Sequence, residues 1–225
     1  MSKPTPFEKL SNQDHIVILG ASRGLGWALY RQLITRIPEA KFLLSSRKIF
    51  DRQMQVEKNT TLLAQDFSKN PVADDFLNSL KQFQPTRIIY VAGGGPFGPY
   101  AAKKWSDHQW AITTTFLYPA ELLHRLLSQN ESFPSLRQVI FVGSQIAESK
   151  PDPNAASYAA AKHALKGLLT TVQLEQAQNL KILLFSPGYM QTELIPAGSW
   201  PIQQGLAQEA AVVADQLIEF IEKNN

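Results

Sequence analysis

An α/β chain folded as a doubly wound parallel sheet is the architecture that the sequence predicts, on three observations. Short apolar runs alternate with longer amphipathic segments along the chain. The apolar runs are continuous rather than alternating, as strands covered on both faces are. Strand-then-helix repetition imposes parallel pairing through helical crossovers, and these are right-handed. The expectation is a Rossmann-type single domain over residues 1–225, with six strands in the order 3-2-1-4-5-6, no seventh strand, and residues 1–13 as a flexible lead.

The elements follow in order. His15–Gly20 (HIVILG) is the first buried strand, and Leu25, Leu29, Leu33 and Ile37 share one face of the first helix. Lys41–Ser46 and Thr60–Asp66 are the second and third strands. Asp74–Phe83 is a helix, with Phe76, Leu77, Leu80 and Phe83 as its apolar face. Arg87–Ala92 is the fourth strand, and Trp105–Gln129 reads as one or two helices bent near Pro119. Gln138–Ser144, the long helix Ala155–Gln178, the strand Lys181–Ser186 and the helix Gln208–Lys223 complete the chain.

Composition narrows the function. Of 225 residues, 44% are hydrophobic and 18% charged, which supplies a full core and excludes a disordered tail protein. The absence of cysteine excludes disulfide scaffolds, thiol nucleophiles and iron–sulfur clusters. His15, His108, His124 and His163 are dispersed without ligand spacing, so no metal is expected. A net charge of +3 with no long basic run argues against nucleic acid as a partner. The polar start has no apolar core of a signal peptide and no stretch is long enough to span a membrane, so a cytoplasmic protein without membrane contact is expected.

Ligands of doubly wound sheets bind beyond the carboxyl ends of the strands, and the informative residues of this chain stand there. The first strand runs into Gly20-Ala21-Ser22-Arg23-Gly24-Leu25-Gly26 and then a helix. Glycines permit a tight turn and close approach of a pyrophosphate, and the helix N-terminus offers free N–H groups and positive potential. The second strand ends in Ser45-Ser46-Arg47-Lys48 rather than in an acid. Arg47, with Arg23 from the glycine loop, suits a 2′-phosphate, so NADP(H) is expected over NAD(H). Asp66 closes the third strand, where its carboxylate can accept from an adenine amino group beside the backbone of Phe67.

Tyr158 and Lys162 are spaced i, i+4 on one face of the long helix. A phenol beside an ammonium is expected to have a lowered pKa and to exchange a proton with a hydroxyl or carbonyl group. Ser144, at the end of the fifth strand, is placed to hold a carbonyl beside that tyrosine.

The glycine loop, the strand-end serine and Tyr-x3-Lys, in this order, resemble the short-chain dehydrogenase/reductase family. Val91-Ala92-Gly93-Gly94 stands where the family usually has Asn-Asn-Ala-Gly, and Ser186-Pro187-Gly188 with Thr192 is similar to its Pro-Gly-x3-Thr. The resemblance covers roughly residues 14 to 222. It implies hydride transfer between NADP(H) and a small carbonyl or alcohol substrate, with Tyr158 as acid or base, Ser144 polarising the carbonyl and Lys162 holding the ribose. It implies cofactor contacts from Gly20, Ser22, Arg23, Gly24, Leu25, Gly26, Ser46, Arg47, Asp66, Phe67, Ala92, Gly93, Gly94, Tyr158, Lys162, Pro187, Gly188 and Thr192.

The chain also departs from the family pattern. Thr115, with Thr113 and Thr114 as rival alignments, takes the place of an asparagine that anchors a water relay. Without a seventh strand the family's tetramer is less secure, which leaves a homodimer through the helices after strands four and five. Trp200 is expected either to cover the substrate or to pack on the body, and Phe97 and Tyr100 to form an apolar wall of the site. The alternative expectation is a catalytically weak NADP(H)-binding regulatory protein.

Overall fold

The computed structural model describes residues 9–149, 153–175, 180–192, 195 and 198–224. Its centre is a parallel sheet of six strands: β1 (His15–Leu19), β2 (Lys41–Ser46), β3 (Thr60–Ala64), β4 (Arg87–Tyr90), β5 (Gln138–Val142) and β6 (Lys181–Phe185). The order is β3-β2-β1-β4-β5-β6, as expected from the alternation of strand and helix. The order reverses between β1 and its two neighbours, which opens a crevice at the carboxyl ends of β1 and β4.

Alternation along β1 explains the two cores. Ile16 and Ile18 face the helices α1 (Gly24–Arg36) and α8 (Ala210–Lys223), packing with Leu29, Leu33 and Leu217. Val17 and Leu19 face the other side with Leu80, Leu122, Leu126 and Leu165. These come from α2 (Asp74–Phe83), α4 (Tyr118–Ser128) and α6 (Ala156–Glu175). All these side chains are fully or almost fully buried, and their continuous apolarity is what made the strands readable in sequence.

Several boundaries differ from expectation. Leu10 packs against the α1–α8 core and the Ser11 N–H donates to Asp14 Oδ2 at 2.9 Å, so this part of the expected flexible lead is held to the body; residues 1–8 lie outside the described set. The helix predicted over Trp105–Gln129 is interrupted six residues before Pro119. It comprises α3 (Trp105–Ile112), a π turn (Thr113–Leu117) and α4. Pro119 has no N–H to give to the carbonyls of the preceding turn, and the Tyr90 hydroxyl donates to the Thr114 carbonyl at 2.7 Å instead. The end of the predicted helix Ala155–Gln178 falls partly outside the described residues.

Short elements without a strong period were not anticipated: a 3-10 turn (Ile49–Gln55), α5 (Gln145–Ser149) and α7 (Trp200–Gln203). Gln208–Glu209, expected as helix, is instead β8 of a separate two-stranded pair with β7 (Met190–Gln191). Among the described residues no helix is long and apolar enough to cross a membrane.

Candidate active site

A cavity of about 590 Å³ opens at the carboxyl ends of the central strands. Gly20, Ser22, Arg23, Gly24 and Leu25 line one wall, Ser46, Arg47, Asp66 and Phe67 another, and Ala92, Gly93, Tyr158, Lys162 and Thr192 the far end. Residues separated by most of the chain length thus meet where the sheet topology places a ligand.

The glycine loop is shaped first by its own packing. Gly20 has φ +99°, and a Cβ there would lie 2.5 Å from the Ala92 backbone nitrogen. A Cβ on Gly26 would lie 2.3 Å from the Gly20 carbonyl oxygen, so this glycine lets α1 close onto the loop rather than lining the cavity. Thr192 packs its methyl over Gly24, which joins the loop after β6 to the glycine turn.

Beside that turn stand Arg23, Arg47, Lys48 and Arg52, against the carboxylates of Asp51 and Asp66. Arg52 was not anticipated. Its Nε donates to the Ser22 carbonyl at 2.8 Å and its guanidinium stacks 4.5 Å over the Trp27 ring, which braces the loop from outside. It lies in the unpredicted 3-10 turn, so no periodicity pointed to it. Asp66 Oδ1 accepts from the Ser68 N–H at 3.0 Å and the Ser68 hydroxyl at 2.7 Å, and lies 3.9 Å from Arg47 Nε. Although burial works against ionisation, these hydrogen bonds and the neighbouring Arg47 and Lys69 hold its carboxyl below the usual range. The Phe67 ring is turned into the core, 5.1 Å from the Tyr118 ring centroid.

The cavity suits a polar, anionic dinucleotide. Ser46 and Thr114 line it, and their buried hydroxyls have no hydrogen-bond partner among the described residues. Such groups are costly unless a ligand or water satisfies them. Among the described residues no cluster of three or more His, Cys, Asp or Glu side chains could hold a metal.

At the far end α6 carries Tyr158 to the cavity wall, and Ser144, 4% exposed and itself outside the lining, hydrogen-bonds Tyr158 from behind. Lys162, one turn further along α6, is 3% exposed. Its Nζ donates to the Val142 carbonyl at 2.5 Å and lies 5.5 Å from the Tyr158 ring centroid. The expected lowering of the tyrosine pKa by Lys162 is not what this environment produces. Burial pushes Tyr158 up to about 12, the Ser144 hydrogen bond only partly offsets this, and the Glu148 charge adds to it. Burial pushes Lys162 down to about 8, against the opposing pull of Glu148. Tyr158 is therefore a neutral phenol across the physiological range.

This has a consequence for stability. Below about pH 8 the cost of burying the Lys162 ammonium is fully present; towards its ordinary 10.5 only the unfolded chain keeps that proton. Wild-type stability relative to Lys162→Met is expected to rise from about pH 8 to about pH 10 in urea titrations. Tyr158 opposes the trend only above its ordinary value of 10.0.

Other expected residues take different places. Thr115 is fully buried, donates its hydroxyl hydrogen to the Gly94 carbonyl and accepts the Gly94 N–H, both at 3.1 Å. Its single hydrogen is spent on the chain, so it clips the loop after β4 and does not donate to a relay water. Pro187 accepts the Gln145 N–H at 2.9 Å and Gly188 faces the Gln145 side chain, so both act on the loop after β5 and neither lines the cavity. Tyr100 is 53% exposed and stacks on His108 at 4.4 Å, and neither it nor Phe97 lines the cavity; Trp110 and Met190 supply apolar wall instead. Trp200 is 59% exposed, with its ring edge-on to Tyr189 at 6.4 Å, and is likewise outside the cavity wall.

Comparison with known proteins agrees with this fold. The family model for short chain dehydrogenases matches residues 14–198. A cyclic-di-GMP-binding biofilm dispersal mediator protein of Escherichia coli (strain K12) is 24% identical over 184 residues, 81% of this chain and 75% of that protein. Among solved structures, 4-hydroxyisoleucine dehydrogenase complexed with NADH superposes with a TM-score of 0.78 at 18% identity, covering 92% of this chain and 90% of that one. A short chain dehydrogenase from Burkholderia cenocepacia J2315 in complex with NADP has a TM-score of 0.77 at 19% identity, covering 95% and 86%. The order of the strands, the glycine turn and the extent of the family match lead to one conclusion: this chain belongs to the short-chain dehydrogenase family.

Proposed function

We propose that the protein is an NADP(H)-dependent oxidoreductase that interconverts a small carbonyl compound and its alcohol. The observation that carries this reading is the meeting of Tyr158, hydrogen-bonded to Ser144 behind it, with Lys162 at one end of a cavity whose other end is the glycine turn and a cationic cluster. Ser22, Arg23 and the first turn of α1 would hold the diphosphate, Ser46 and Arg47 the 2′-phosphate, and Lys162 the nicotinamide ribose. When bound, the cofactor supplies or takes the hydride.

The residues supply the proton and the orientation. Ser144 holds the carbonyl oxygen beside Tyr158. The Tyr158 hydroxyl, kept neutral by burial, donates its proton to that oxygen as negative charge develops on it. The Ser144 hydrogen bond favours the phenolate left behind. In alcohol oxidation the same proton moves the other way.

A panel of ketones and aldehydes incubated with NADPH, with loss of the reduced nicotinamide absorbance as readout, tests the reaction. No turnover with any of them counts against it. Cofactor choice has its own test. Arg47→Ala is expected to weaken NADPH roughly tenfold, the worth of one charge-assisted hydrogen bond, with NADH affinity little changed. Equal loss for both cofactors, or tighter wild-type binding of NADH, would reject the 2′-phosphate role.

A second reading is a cofactor-binding regulator with weak turnover. It is favoured by the committed hydroxyl of Thr115 and by the relative named as a cyclic-di-GMP-binding mediator. Binding of cyclic-di-GMP in calorimetry together with an inert carbonyl panel would favour it over the enzyme.

A further inference from the structure

Glu148 has no part in the reaction described above, yet it stands where three segments carrying the site converge. It lies on α5, and its side chain is 11% exposed. Oε1 accepts the Ser144 N–H at 3.4 Å and the Ser186 hydroxyl, and Oε2 lies 3.0 Å from Lys166 Nζ. Ser144 follows β5, Ser186 follows β6, and Lys166 is one turn beyond Lys162 on α6. The backbone makes room for this clamp. A Cβ on Gly143 would lie 2.3 Å from Ser186 Oγ and 2.7 Å from Glu148 Oε1.

A carboxylate so enclosed persists only when donors surround it. Burial alone would raise its pKa. The hydrogen bonds from Ser186, Lys166 and the Ser144 N–H, with the Lys166 charge, outweigh that and hold it below the ordinary carboxylate range. Glu148 is therefore anionic at neutral pH, and its charge acts on both Tyr158 and Lys162, favouring the protonated form of each.

We propose that Glu148 is a positioning residue of the active site: it clamps Ser144 against Tyr158 and holds a fixed negative charge behind the Tyr158–Lys162 pair. The groups that face it are Ser144 from the loop after β5, Ser186 from the loop after β6, and Tyr158, Lys162 and Lys166 from α6. The proposal rests on the catalytic reading of Ser144 and Tyr158.

Two variants separate charge from shape. Glu148→Gln removes the charge in nearly the same volume, and Ser186→Ala removes one donor while leaving the charge. Glu148→Gln is expected to lower kcat roughly tenfold with NADPH affinity held within about twofold, as loss of alignment rather than of cofactor binding requires. It is also expected to move the Lys162 titration, followed by NMR of isotope-labelled lysine side chains, to lower pH. The rising limb of alcohol oxidation should move with it.

Ser186→Ala is expected to lower kcat less and to leave the Lys162 titration in place. An unchanged kcat, or a fall in kcat that only tracks loss of folded protein while the Lys162 titration stays put, overturns the proposal. If the wild-type protein turns over no carbonyl, the catalytic reading fails on its own. The lysine titration then still decides whether Glu148 acts on the pair: a midpoint that moves upholds the placement of the charge, and one that does not overturns it.

Discussion

Tyr158→Phe is expected to reduce carbonyl turnover by about two to four orders of magnitude, the usual worth of a positioned proton donor, while NADPH binds almost as before. The substitution deletes one oxygen and little else. The ring keeps its place over Lys162, and its Cβ remains against Gly95, where an added Cβ would come within 2.9 Å. What is lost is the proton for the developing alkoxide and the partner of the Ser144 hydroxyl. Steady-state rates with saturating NADPH, beside a binding titration of NADPH, separate chemistry from affinity. Turnover within about threefold of wild type would remove Tyr158 from the reaction.

Because burial keeps the phenol neutral to about 12 and brings Lys162 down to about 8, the group of the pair that first responds to pH is the lysine. Carbonyl reduction should hold steady through neutrality and change only as Lys162 loses its proton. A pH–rate profile with a break in the acidic range would point to a different proton donor.

Asp14→Ala is expected to cost about 3–5 kcal/mol of stability, the penalty of leaving a buried cation without its partner. Asp14 is fully buried directly before β1. Its Oδ1 accepts from Thr86 at 2.7 Å, from Arg137 at 2.7 Å and from Arg87, whose guanidinium is itself 1% exposed and also donates to Gln138 at 2.8 Å. The cluster ties together the amino-terminal ends of β1, β4 and β5, opposite the cavity. Removing the carboxylate leaves Arg87 charged in a site shaped to neutralise it. Burial already pulls the Arg87 pKa down, with Asp14 opposing.

Urea unfolding measures the loss. Asp14→Leu combined with Arg87→Met is expected to recover much of it, since an apolar pair carries no desolvation cost. A single variant that loses less than about 1 kcal/mol would show that water reaches the cluster.

What could be read in the sequence differs from residue to residue for a physical reason. The continuous apolar runs, and the four-residue recurrence from Leu25 to Ile37, report local geometry, so the strands and most helices followed from them, whereas the strand order needed the crossover rule of doubly wound sheets. The glycine turn and Tyr-x3-Lys were visible because a tight turn and one helix face are short-range features. The π turn at Thr113–Leu117 was not, because the Tyr90 hydroxyl that satisfies its carbonyl comes from another strand. Nor was the Arg52–Trp27 brace, made between a helix and an unpredicted 3-10 turn.

By itself the chain determined its parallel strands and the end of the sheet at which the cavity opens, because apolar runs and crossovers are enough for these. The phenol, lysine and serine needed the resemblance to a family as well, because Tyr-x3-Lys spacing alone recurs on many helices. The tertiary structure decided how those groups ionise, which threonine hydroxyl is consumed, and that Glu148 stands behind the pair. Desolvation and pairing depend on atoms brought together from distant segments, as Asp14 meets Arg87 and Arg137 across 73 and 123 residues.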